Sequence, residues 1–371
     1  LSAYGKPQYY DLILDNLVDV KDDGSIHLNM EYFAFTYDKV MTNKKFSELF
    51  GILPRKKDEK MEQIHFDLGA SIQRVLEDII LKIAKHIHKK TGMKNLCYGG
   101  GVALNGVANY RLLQEGPFTN LFIPPSPGDA GSAVGCAQYA YYVHHNNPTK
   151  NTEQELPQKI CENVYVGPEY TNDEIKEFLD SKNILYETWD RESLLQNTAK
   201  LISQGNIVGW YQGKMEWGPR ALGNRSILAD PRNEKMKDIL NEKIKHRESF
   251  RPFAPSIMEE YVSEFFEINI PSPYMLMVAK IKQPEKIPAV THVDGTGRLQ
   301  SVSKNSNPLY YDLINEFYKI TNVPVIINTS MNVMGEPIVN TPEQAYNMIL
   351  KTDMDCMVLG NNIIFADGKN N

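Results

Sequence analysis

The strongest constraint on the fold of this chain is an order that repeats: a short apolar strand, a glycine- or proline-rich turn, then a helix. Residues 70–90 lead into it. Ile72, Val75, Leu76, Ile79, Ile80, Ile83 and Ile87 recur at helical spacing, and Thr91-Gly92 supplies a stop. Residues 95–98 read as a strand entering Gly99-Gly100-Gly101, and a second helix starts near Asn105. Residues 120–123 read as a strand, 124–128 as a loop and 129–142 as a helix of small residues. This alternation specifies an α/β fold.

A polar stretch with two prolines, residues 144–158, reads as a linker, after which the pattern restarts. A helix is expected over 171–182, with Thr171 as cap and Glu174 three residues on. Strands are expected at 184–187, 207–211 and 323–327, and an amphipathic helix at 233–244. Thr341-Pro342-Glu343-Gln344 has the order of a helix start. Residues 357–359 and 363–365, joined by Gly360-Asn361-Asn362, read as a hairpin. Two domains follow, 1–150 and 151–371, in keeping with roughly 150 residues per domain.

Composition excludes several classes. Hydrophobic residues make up 42% and charged residues 23%, which rules out a disordered or collagen-like chain. No run of 18 apolar residues exists, so no transmembrane helix is expected. A net charge of −6 argues against a general nucleic-acid binder. The four cysteines, Cys97, Cys136, Cys161 and Cys356, form no CxxC pair and suit reduced thiols in a cytoplasmic protein. The chain begins at Leu1 without a signal-peptide pattern and reads as mid-protein sequence.

Five segments could carry chemistry. The glycine turn at 99–101 allows close backbone approach to a ligand, though it matches neither the dinucleotide nor the phosphate-loop fingerprint. Asp129 stands on a glycine-flanked turn, as a helix cap or as a carboxylate aimed at a cation. From Lys214 to Arg251 there are 10 Lys/Arg against 6 Asp/Glu, net +4 within a chain of net −6. Arg220, Arg225 and Arg251 sit beside Gly or Pro rather than on a helical stripe, and suit a grip on anionic oxygens. His292, Asp294 and Arg298 share a polar turn, equally readable as a surface turn. Asn328, Ser330 and Asn332 close a strand end, where α/β ligands usually sit; Ser330 has no nucleophile elbow and is the better hydroxyl donor.

Together YGKPQYYD, GGGVALN, SPGDAGSAVG, GPRALGNRS, KHRESFRPFAP, THVDGTGRLQ and NTSMNVMGEP resemble the NodU/CmcH family of O-carbamoyltransferases, over essentially the whole chain and in the family's order. The resemblance implies a partial ASKHA (actin and sugar-kinase) domain followed by a YrdC-like twisted-sheet domain. It implies that ATP and carbamoyl phosphate are joined into carbamoyl adenylate, and that the carbamoyl group passes to a hydroxyl of a small-molecule or glycan acceptor. Lys245, Arg247, Arg298 and Ser330 take the catalytic places by this likeness. Gly99, Gly100, Gly101, Asn105, Lys214, Arg220, Arg225, Arg251, Asn328 and Asn332 take the nucleotide and phosphate places. Asp129 matches a ligand of iron(II) or another divalent metal, shared in the family with two upstream histidines that these residues do not include; Mg2+ is a further candidate. About 200 residues of the family pattern are expected upstream. A homodimer is the default assembly, with no membrane partner. Competing expectations are a hydrogenase-maturation or tRNA-threonylcarbamoylation enzyme, which shares both folds, and a non-catalytic nucleotide-binding paralogue.

Overall fold

A computed structural model of the chain describes residues 1–56, 59–147 and 164–366. The chain divides into two compact units, Leu1–Cys97 with Ala108–Phe122, and Tyr98–Val107 with Ile123–Asn371. The glycine turn and Asp129 thus group with the second unit.

In the first unit, strands β1 (Val18–Val20) and β2 (Ile26–Leu28) pair antiparallel. The expected helix is longer than its apolar stripe, Gln63–Thr91, because Glu62 and His65 form a capping box and Gly92, at φ 64°, ends it. Its inner side buries Ala70, Val75, Ile80, Leu81 and Ala84, while Ile72, Ile83 and Ile87 face solvent. Val75 joins Ile13, Leu17, Val18 and Phe50 in one cluster. Strands β3 (Asn95–Cys97) and β4 (Asn120–Phe122) pair parallel, and the connection between them carries the helix Gly106–Glu115.

The second unit holds a nine-stranded mixed sheet. Its strands are β5 (Glu187–Thr188), β6 (Val208–Tyr211), β7 (Arg225–Ala229), β8 (Ala254–Met258), β9 (Met277–Lys280), β10 (Thr296–Val302), β11 (Val325–Ser330), β12 (Cys356–Leu359) and β13 (Asn362–Phe365). Their spatial order is β5-β13-β12-β6-β7-β11-β8-β10-β9. The mixed α/β class is as expected. The pairs β12–β6 and β10–β8 are parallel and the others antiparallel. Helices Arg191–Ser203 and Pro308–Thr321 pack against each other, as do Asn172–Ser181 and Pro342–Lys351. Among the described residues no helix is long and apolar enough to cross a membrane.

Two local expectations are corrected, and the helix expected over 129–142 is present. The strand read at 184–187 is Glu187–Thr188. The helix read at 233–244 is a single turn, Met236–Ile239, widening into a π-turn, Leu240–Lys245, stopped by His246 at φ 47°. The helix after Asp129 runs to Gln138 and widens in the same way over Tyr139–His144. The linker read at 144–158 lies mostly outside the described residues.

The register positions the site. Residues paired across strands share a face, and neighbours along a strand alternate. Gln300 pairs with Ser256, Ser256 with Ile326, and Ser330 with Ser226. One face therefore presents Arg298, Gln300, Ser256, Asn328, Ser330 and Ser226. The other presents Leu299, Ile257, Ile327 and Ile227. A polar row across the middle of a buried sheet needs a purpose, because each such group costs free energy unless it is bonded.

Candidate functional site

The segment after β6 is shaped by one buried acid. Glu216 is 2% exposed, and its Oε1 accepts hydrogen bonds from the amides of Leu222 (2.6 Å), Asn224 (3.2 Å) and Arg225 (3.2 Å). Asn224 Nδ2 donates to Lys214 O at 2.7 Å. Gly223 sits at φ 109°, and a Cβ there would lie 2.2 Å from the Tyr310 ring. Only glycine fits this position.

The arginines of this segment separate by environment. Arg225 is fully buried with its guanidinium 3.7 Å from the Tyr211 ring centroid. It donates to the carbonyls of Gln212 (2.6 Å), Asn224, Pro168 and Gly213 (each 3.1 Å). Its donors hold the loop, which leaves little for a ligand. Arg251 lies at the surface, ion-paired with Glu248 at 2.9 Å, and the Lys214 side chain is exposed. Arg220 is half-buried, with Nε buried and unbonded.

Arg298 on β10 is in the same condition as Arg220, with a buried, unbonded Nε. Burial pushes its pKa down to about 9, and the charges of Arg220 and Arg247 add to the effect. Burial likewise lowers Arg220. Arg247 is pushed down to about 10 by burial and then by Arg251. It is held by Asn241 Oδ1, which accepts from Nε at 2.7 Å, and its guanidinium stands 4.9 Å from the Phe253 ring centroid. An arginine stays charged at neutral pH, so these directions record a cost of crowding cations away from water. No carboxylate pairs with Arg220, Arg247 or Arg298 among the described residues. An anion would remove the cost.

Lys245 ends the π-turn and is 3% exposed. Its Nζ donates to Ser330 O, to Asn332 O at 2.9 Å and to Asn332 Oδ1 at 3.0 Å. Ser330 Oγ donates to the same Asn332 Oδ1 at 2.6 Å, and Asn332 Nδ2 donates to Glu336 O at 2.8 Å. Lys245 thus knots the turn after β11. Burial and then the charge of Arg247 push its pKa down to about 7.

His292 Nδ1 lies 3.0 Å from Thr296 Oγ1, whose hydroxyl lies 2.7 Å from Asp294 Oδ1. The carboxylate can only accept, so the Thr296 proton points to it and His292 donates through Nδ1. Nε2 is then a bare acceptor, buried and unbonded. Burial pushes this imidazole down to about 4.

The glycine turn is tied to the loop 124–128, and a Cβ at Gly218, two residues before Arg220, would lie 3.4 Å from Pro125 O of that loop. Gly100, at φ 97°, donates its amide to Pro127 O at 2.8 Å, which ties the turn to the loop before Asp129; Asn105 follows the single turn Gly101–Leu104. No neighbour would block a Cβ at Gly99, Gly100 or Gly101. The helix cap is Gly128, not Asp129, whose exposed side chain makes no cap bond. Among the described residues no group of three His, Cys, Asp or Glu side chains could hold a metal, so Asp129 does not by itself make a centre. Glu216, Gln300 and Asn241 organise the site and were not singled out by the sequence, which shows only a lone acid in a basic stretch and amides of ordinary polarity.

Comparison with known proteins is consistent across the chain. The model of the carbamoyltransferase N-terminus matches residues 1–138, and that of the carbamoyltransferase C-terminus matches 199–365. An uncharacterised protein of Synechocystis, sll1178, is 44% identical over 98% of this chain and 62% of its own length. Nodulation protein NolO of Bradyrhizobium diazoefficiens is 37% identical over 97% of this chain and 63% of its own. The chain thus spans less than two thirds of these relatives. Full-length HypF, in a phosphate- and nucleotide-bound crystal structure, is 20% identical over 46% of this chain and 25% of its own, with a TM-score of 0.33. Sua5 of P. abyssi, complexed with L-threonine, is 16% identical over 47% of this chain and 48% of its own, with a TM-score of 0.35. At these scores neither structure bears on the site. Two family models in sequence order, together with relatives matched along nearly the whole chain, establish that this chain belongs to the carbamoyltransferase family.

Proposed function

We propose that the second unit joins ATP and carbamoyl phosphate into carbamoyl adenylate, and that the complete protein transfers the carbamoyl group to a hydroxyl of a small-molecule or glycan acceptor. Activation consumes one water and releases one phosphate and one pyrophosphate for each carbamoyl adenylate. The observation that carries this reading is the cluster of Arg220, Lys245, Arg247 and Arg298, partly desolvated and, among the described residues, with no carboxylate in salt-bridge contact. Two polyanions repel, and fixed cations in a pocket of low dielectric bring them together and stabilise the charge that develops. Arg220 and Arg298, with guanidinium donors unclaimed by the chain, contact the phosphates. Lys245 and Asn332 keep Ser330 at the pocket edge. Gly99, Gly100, Gly101 and Asn105, which group with the same unit, serve the nucleotide portion of carbamoyl adenylate. Mg2+ accompanies ATP. A divalent metal at Asp129 would need further ligands, and no step is routed through it.

The test is pyrophosphate release from ATP, with and without carbamoyl phosphate. Release that requires carbamoyl phosphate and falls at least about 100-fold in Arg298→Ala and Lys245→Ala, both checked as folded, supports the reading; that loss corresponds to about 2.7 kcal/mol of barrier. A folded wild-type chain that releases none would refute it for this chain.

A further inference from the structure

Gln300 is 2% exposed, and its amide joins three other segments. Its Oε1 accepts from Ser256 Oγ on β8 at 2.6 Å and from Asn328 Nδ2 on β11 at 2.9 Å. Its Nε2 donates to Leu222 O at 2.8 Å. Asn328 Nδ2 also donates to Ala221 O at 3.3 Å. The carbonyls of two consecutive residues, Ala221 and Leu222, are therefore held by side-chain amides from the sheet. Both directly follow Arg220. On the other side of Gln300, two positions back along β10 and on the same face, stands Arg298.

This arrangement answers a physical problem. Arg220 and Arg298 repel each other, as the depression of Arg298 by Arg220 records. Arg298 is fixed in a strand, but Arg220 sits on a loop and could swing to water. Glu216 grips the amides of Leu222, Asn224 and Arg225, while Gln300 and Asn328 grip the carbonyls of Leu222 and Ala221. The loop is clamped through both kinds of backbone group, so the two guanidinium groups stay at a fixed spacing before any ligand arrives. Preorganisation of this kind lowers the cost of binding an anion.

We propose that Gln300 is a positioning residue, which acts through Ala221 and Leu222, together with Asn328, to set Arg220 against Arg298 and so fixes the spacing of the anion site. The inference rests on reading this face as the anion site, not on the reaction performed there. A merely structural Gln300 would destabilise the sheet without regard to Arg220, whereas a positioning Gln300 must lose its effect once Arg220 is gone.

A double-mutant cycle separates the two, with inorganic pyrophosphate as probe and affinity read by calorimetry. Gln300→Met keeps the length of the side chain and removes all three bonds. About tenfold weaker binding is expected for Gln300→Met, and a similar loss for Arg220→Ala. The double variant should bind within about twofold of Arg220→Ala, while Gln300→Met combined with Arg247→Ala should show the product of the two single losses. If the full tenfold loss persists in the Arg220→Ala background, or if folded Gln300→Met binds like wild type, the proposal is overturned. Should Gln300→Met fail to fold, Asn328→Ala releases the neighbouring carbonyl and the same cycle is run with it. Because pyrophosphate binding needs no turnover, a chain that binds the probe but makes no carbamoyl adenylate would sink the proposed reaction alone. A wild type that does not bind pyrophosphate would overturn both.

Discussion

At the scale of the residue, type and neighbours in sequence do not separate the environments that the fold creates. Arg220, Arg225 and Arg251 all stand beside glycine or proline and look alike. The fold gives them three environments: one half-buried with an unbonded Nε, one fully buried and bonded to four carbonyls though its Nε is also unbonded, one paired at the surface with Glu248. Which carbonyls gather round a side chain depends on the whole fold, so no local pattern records it. Lys245 makes the point testable. In the folded chain its pKa is pushed down to about 7 from 10.5, so between those values the unfolded chain binds a proton that the folded chain does not. Stability must then rise with pH across that window and be flat below it. Lys245→Met removes the titration. Urea unfolding at pH 7 and pH 9.5 should show the wild type gaining on the variant at the higher pH. Pyrophosphate should flatten the difference, because a bound anion favours the ammonium. A gap independent of pH in the free protein would mean that the amine is not buried as described.

Elements were legible where their signals are local. The cap at Thr171 and the start at Thr341-Pro342 fall where the sequence placed them, because a hydroxyl three residues before a glutamate or glutamine satisfies end groups whatever surrounds it. The hairpin of β12 and β13 is local too, turning at Gly360 and Asn361, with Gly360 at φ 58°. The neighbours of β10 were not legible, since its parallel partner β8 lies some 40 residues upstream and nothing in either strand names the other. Nor was the π-turn over Leu240–Lys245, which looks like ordinary amphipathic helix and widens only in the fold. The expected consequence of a local cap is a local cost. Thr341→Ala should lower stability by about 1 kcal/mol, read as a shift of the urea midpoint with an unchanged slope. Pyrophosphate affinity should stay as in wild type, because the helix Pro342–Lys351 carries none of the proposed anion contacts. A change in slope would mean that the substitution alters how much of the chain unfolds together.

For the whole molecule, charge and division into units lead to one experiment. A net charge of −6 hides a segment of net +4, and in the second unit Arg298 on β10 stands within the field of Arg220 and Arg247. Composition alone argued against a polyanion partner of the nucleic-acid kind and said nothing of a small one; the distinction lies in where the charges meet. Two compact units, each with its own buried core, should melt as two transitions in calorimetry. A ligand stabilises only the state that binds it, so pyrophosphate at 100 times its dissociation constant should add about 2.7 kcal/mol to the second unit. For a unit of that size this is a shift of roughly 5–10 °C in one transition, with the other left in place. Raising salt from about 0.05 to 0.5 M should shrink the shift, since screening weakens a site made of fixed cations. If both transitions move equally, the anion binds across the units rather than at the face of β10 and β11. If neither moves while the probe is shown to bind, the cations take it in a form that does not depend on the fold, and the clustered arginines lose their claim to be a built site.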